Sequence, residues 1–182
     1  MLLSPNAEFE LALRLRNSSV PLGEVFSFIS GLYFRGKLAY AERFKNPPPG
    51  ISGVHIITAT SGLLLPQEPM TLERLKSIST SSVDPENPDY RTPLDRDAFR
   101  LRELAGTETQ VVLLGSIATE KYALPLLEVF GERLLFPKDF VGRGDMSRGG
   151  LLLRCCSSGS ALEYVPVLGA TRRGRRPPKL KL

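Results

Sequence analysis

With 182 residues, 42% of them hydrophobic, the chain has the length of one domain and enough apolar material to bury a core without a metal or disulfide framework. One histidine and two cysteines leave no ligand set for a zinc site built on several His and Cys, and no apolar run reaches the roughly 20 residues that a bilayer-spanning helix needs. The net charge of +5 is uneven: Arg172, Arg173, Arg175, Arg176, Lys179 and Lys181 all follow the last acid, Glu163, so residues 1–170 are close to neutral.

In chain order, Pro5-Asn6 opens a helix to Asn17, although its Phe9, Leu11, Leu13 and Leu15 also alternate as a strand's would. From Leu22 to Phe44 the apolar residues recur at helical spacing. Gly31 and Gly36 interrupt them, so this stretch is two helices or one helix with a close-packed face. The run Asn46-Pro47-Pro48-Pro49-Gly50 ends it. Residues Val54 to Ala59, which include His55, read as a buried strand. Thr71 caps a helix from Leu72 to about Ser79, with Glu73 in its first turn. Residues 80–93 read as the longest loop, and Asp95 caps a helix to Ala105.

Gln110 to Gly115 is the clearest buried strand, followed by Ser116 to Thr119 and a helix through Phe130. Arg133 to Pro137 forms a short strand, and a glycine-rich loop runs from Phe140 to Gly150. Leu151–Cys156 and Leu162–Val167 are expected to pair as a C-terminal β-hairpin around Ser157-Ser158-Gly159-Ser160. The order of elements implies one α/β domain over residues 1–170 with a mixed, partly parallel sheet, and a basic tail at 171–182. Neighbouring Cys155 and Cys156 would point to opposite faces of a strand, so they read as free thiols in a reducing compartment. The N-terminus lacks the pattern of a secretory signal, and the expectation is a cytoplasmic protein with no membrane partner.

Ligands of open α/β sheets bind beyond the carboxyl ends of the parallel strands. That rule nominates the loops at 58–62 and 115–121 and the segment after Phe136. At the second, Gly115, Ser116 and Thr119 lead into a helix whose free N–H groups attract anions, while Ser116 or Thr119 could equally serve as its N-cap. In the glycine-rich segment, Arg143, Gly144, Ser147 and Arg148 suit a phosphate or carboxylate, and Asp145 suits an arginine partner or a general base. Alternatively the segment is a mobile loop with an internal Arg–Asp pair. Tyr33-Phe34-Arg35-Gly36-Lys37 could stack a base and reach a phosphate, or pack its rings and leave both cations in water. His55 reads as a satisfied core or edge residue. No metal site and no cofactor are expected.

Two segments, Leu32-Tyr33-Phe34-Arg35-Gly36-Lys37-Leu38-Ala39-Tyr40-Ala41 and Ile57-Thr58-Ala59-Thr60-Ser61-Gly62-Leu63-Leu64, resemble the helix-then-strand pattern of YaaA-like bacterial proteins. Those are remote relatives of the uracil-DNA glycosylase fold. The resemblance spans residues 32–66; the family's N-terminal strand with a Cys-Ser pair has no counterpart here. It implies a three-layer α/β sandwich that handles nucleobases or nucleic acid, and no catalytic residue carries over.

The leading reading is a nucleotide- or nucleic-acid-binding α/β protein, its enzymatic form acting on a nucleobase or nucleotide. In it the loops at 115–121 and 142–150 bind phosphate, and Arg172, Arg173, Arg175 and Arg176 contact nucleic acid. The alternatives are a small-molecule enzyme that binds a phosphate or carboxylate through Arg143 and Arg148, and a non-catalytic protein-interaction module. Whether the chain is an enzyme stays open at this point.

Overall fold

Local signals place the first elements. The computed structural model of the chain describes residues 2–4, 6–175 and 177. Helix α1 (Glu10–Asn17) starts later than its apolar pattern predicts. A two-residue strand β1 (Val20–Pro21) then leads into α2 (Leu22–Ile29) and α3 (Gly31–Phe44). The glycine at 31 adopts a φ of 61°, a left-handed conformation that favours glycine, and it separates the two helices. The 22–44 stretch is therefore both things the sequence allowed: a break at Gly31 and a close-packed face at Gly36.

The segment at 54–59 is a correction. Its strand β2 (Ile56–Ile57) pairs antiparallel with β3 (Leu63–Leu64) as a separate small hairpin and does not join the later strands. Gly62, at a φ of 65°, makes the turn possible. Strand β4 (Pro69–Met70) pairs antiparallel with β1, and α4 (Leu72–Ile78) is capped by the Thr71 side chain, which accepts from Arg74 N at 3.2 Å. Helix α5 (Pro88–Ala105) begins well before Asp95, shortening the expected loop. Asn87 is its N-cap and Pro88 its first residue, where a missing N–H costs nothing.

Strand β5 (Val111–Val112) pairs parallel with β6 (Leu134–Pro137), joined by α6 (Glu120–Phe130). After one 3-10 turn at Lys138–Phe140 the chain enters α7 (Asp145–Ser158). The expected C-terminal β-hairpin is therefore corrected: Leu151–Cys156 is helical, and Gly159, in the left-handed conformation, caps the helix instead of turning a hairpin. The final strand β7 (Tyr164–Pro166) pairs antiparallel with β6 and gives the mixed sheet β5-β6-β7.

Two apolar clusters hold these elements. The larger joins Tyr40, Tyr90, Leu94, Leu134, Phe136, Phe140 and Leu152, so α3, α5, α6, α7 and the three-stranded sheet share one core. The smaller joins Leu11, Leu15, Leu22, Val25, Met70 and Ile78 near the N-terminus. Helix α3 belongs to both, since Tyr33 packs against the first and Phe34 against the second. Among the described residues no helix is long and apolar enough to cross a membrane, and both thiols are free.

Candidate functional site

Helices α3 and α7 cross where glycine meets glycine. A Cβ added at Gly36 would lie 2.8 Å from the Gly149 carbonyl oxygen, and one at Gly149 would lie 2.9 Å from that of Leu32. Only hydrogen at both positions permits this approach. The seam brings together two segments that the sequence singled out separately, 33–37 and 142–150. Gly149 and Gly150 thus lie inside a helix, which corrects the reading of the whole stretch as a loop.

Arg148 is buried at this seam. Its Nε and Nη2 donate to the Phe140 carbonyl at 3.2 and 3.1 Å, and Nη1 lies 3.6 Å from Asp145 Oδ1. The guanidinium carbon stands 5.4 Å from the centre of the Phe140 ring. The side chain is 11% exposed, so this arginine closes the 3-10 turn onto α7 and is not presented to a ligand. Asp145, 70% exposed, stands in the first turn of α7, where a carboxylate complements the helix dipole. Arg143 is half-buried; it donates to the Asp139 carbonyl at 2.8 Å and to Ser147 Oγ at 3.3 Å and meets no carboxylate among the described residues. Gly144 is the N-cap of α7, with open space beside it.

On α3, Tyr33 donates to the Leu114 carbonyl at 3.2 Å, just beyond the carboxyl end of β5. Burial pushes its phenol up to about 12, with the Arg148 charge opposing. Lys37 lies against it, its Nζ 4.5 Å from the Tyr33 ring centre and 5.3 Å from that of Phe34. Burial lowers the Lys37 pKa, with Asp145 pulling it back up and Arg148 pushing it down. No hydrogen bond or ion pair engages this ammonium among the described residues. Tyr122 on α6 belongs to the same neighbourhood: burial raises its pKa, and Asp145 adds to the rise. The sequence points to Tyr33 and Lys37 only as members of the 33–37 cluster, and Tyr122 carries no signal in sequence that would join it to them.

The loop into α6 borders this cluster through Leu114. Gly115 needs no left-handed backbone, and a Cβ there would meet Leu113 Cδ1 at 3.2 Å and Tyr122 Cδ2 at 3.7 Å. Ser116 Oγ accepts from Ala118 N at 3.3 Å, while Thr119 occupies the N-cap position without a side-chain cap bond. The loop at 58–62 behaves differently. Thr58 bonds Gly62 through both its N and Oγ1, and Leu63 N donates to Asp97 Oδ2 at 3.0 Å, so the loop is closed on itself and pinned to α5. His55 sits nearby, its pKa lowered by burial with Asp97 opposing.

The basic tail is docked as far as it is described. Arg172 Nη1 donates to Glu120 Oε1 at 3.1 Å at the start of α6. The Gly174 and Arg175 backbone lies on Gly142. Arg176, Lys179 and Lys181 lie outside the described residues. Two shallow cavities lie elsewhere among the described residues: about 570 Å³ beside Leu135, Tyr164, Pro166 and Leu168, and about 470 Å³ beside Thr60, Pro93 and Arg96. Among the described residues no group of three or more His, Cys, Asp or Glu is placed to hold a metal ion. Compared with known proteins, the chain matches no family model, no curated protein and no solved structure.

Proposed function

We propose that the chain binds a nucleotide or nucleic acid, with Lys37 receiving a phosphate. One observation carries this reading: an ammonium held against two aromatic rings, without an acceptor among the described residues, beside the carboxyl end of a parallel strand. A half-buried cation in that state is stabilised by an incoming anion. Tyr33 and Phe34 support Lys37, and Arg143 is a second cation without a carboxylate partner among the described residues. Gly115, Ser116 and Thr119 border the same end of β5. Asp145 is the carboxylate within electrostatic reach of Lys37 and would be the acid–base group if the ligand is transformed.

The resemblance to YaaA-like proteins over residues 32–66 points the same way and is part of the proposal. So is the three-layer form of the fold, supported by the four helices that share one core with the sheet. Recognition of a small anion by Arg143 and Arg148 together is disfavoured, because Arg148 is turned inward onto Phe140.

Fluorescence titration of the intact chain with a labelled adenine mononucleotide and a labelled oligonucleotide tests the reading. Lys37→Met, which keeps the apolar stem, is expected to weaken binding about tenfold, or about 1.4 kcal/mol, with unchanged folding. Absence of binding at about 20 mM salt, or equal binding by the variant, overturns it.

A further inference from the structure

The described part of the basic tail is fitted to the protein by shape and by one ion pair. Gly142 has a φ of 73°, and a Cβ there would fall 2.3 Å from the Arg175 carbonyl oxygen and 3.0 Å from that of Gly174. A Cβ on Gly174 would in turn fall 2.5 Å from Val141 Cγ1. Each glycine thus makes room for the other strand of chain. Upstream, Val167 N bonds the Leu134 carbonyl and Ala170 N bonds the Val167 carbonyl, so the segment leaves the sheet from a fixed point. Arg172 then ties it to Glu120.

The charges on this seated segment are largely unengaged. Arg172 has its carboxylate, but Arg173 and Arg175 are exposed and make no hydrogen bond or ion pair among the described residues. Arg143 follows Gly142 directly and meets no carboxylate among the described residues either. Arg143, Arg173 and Arg175 thus each adjoin, along the chain, one of the two glycines in contact. A single phosphate engages one or two arginines, whereas a row of them suits a run of phosphodiesters.

We propose that residues 171–175 form a docked arm, seated by Gly142 and Gly174, whose Arg173 and Arg175 join Arg143 in gripping a nucleic-acid backbone. This rests on the nucleotide- or nucleic-acid-binding reading and narrows it to a polymeric ligand. Position matters here as much as charge, because a seated arginine loses less freedom on binding than one on a free tail.

The test separates the two. A labelled 20-mer, single-stranded and as a duplex, is titrated against the full chain from about 20 to 200 mM salt. Arg173→Ala/Arg175→Ala is expected to reduce the slope of log affinity against log salt by about 1.5 to 2. Gly174→Val keeps every charge but clashes with Val141. It is expected to bind about tenfold more weakly than the parent chain and to be cut by trypsin after Arg173 several times faster. Gly174→Ala carries the same clash in a smaller volume and serves if the valine variant does not fold. Parent-like affinity and trypsin resistance in a folded Gly174 variant overturns the docked arm and leaves nucleic-acid binding standing. No binding by the parent chain removes both. Equally tight competition by polyglutamate of matched charge overturns the choice of nucleic acid.

Discussion

Gly36 and Gly149 bring two helix backbones together inside the molecule, whereas Gly142 and Gly174 bring a turn and the basic arm together at its surface. The device is the same, but what surrounds it differs. At the α3–α7 seam the obstructing atoms are main-chain atoms of regular helices, with the largest apolar core behind them. At the arm they are the main chain of Gly174 and Arg175, both exposed residues, and the side chain of half-buried Val141. Close approach at the seam is a condition of folding. At the arm it positions charges that the fold does not need.

That contrast can be broken most severely at the seam. Gly149→Val is expected to cost about 3 kcal/mol or more, because neither helix can yield without leaving its partner, and urea denaturation would read this directly. Next is Arg148→Met, expected to cost about 2 kcal/mol in the same assay, since the Phe140 carbonyl loses both guanidinium donors and keeps only the Arg143 N–H. A stability change within about 0.5 kcal/mol would show that Arg148 is free for a ligand after all.

Alkaline pH loosens the seam. Burial raises the Tyr33 pKa from 10.0 to about 12 in the folded chain, so the folded state keeps its proton where the unfolded state has lost it. Its contribution is complete below pH 10 and is lost as pH rises through about 12. Between those limits stability should fall by up to about 1.4 kcal/mol per pH unit from this group, and Tyr33→Phe should flatten the decline. Burial raises Tyr40 and Tyr90 too, so the variant keeps part of the slope. The smallest expected effect is on stability in Gly174→Val, under about 1 kcal/mol by thermal melting, against its large effect on binding.

Much of the local structure was legible because it depends on neighbours in sequence. Thr71 caps its helix, Gly31 divides the 22–44 stretch, and the β5 and β6 strands stand where their apolar runs are. Asn87-Pro88 was overlooked as a helix start because the surrounding Ser, Asp and Pro read as loop. The run Leu151–Cys156 fits a buried strand and a buried helix equally, and only the packing of Gly149 on α3 decides for the helix. The site was half legible. Both of its segments were noticed, but their union depends on a contact between residues more than a hundred positions apart. The burial of Arg148 and the placing of Lys37 near Asp145 both depend on that union.

The most direct test of the account compares two cations of one cluster, Lys37 and Arg148, in parallel denaturation and oligonucleotide-binding measurements. Lys37→Met is predicted to lose about tenfold in affinity with stability unchanged within about 0.5 kcal/mol, and Arg148→Met to lose about 2 kcal/mol of stability while its folded fraction retains binding within about threefold. The reverse pattern, in which Arg148 governs binding and Lys37 governs stability, would contradict it.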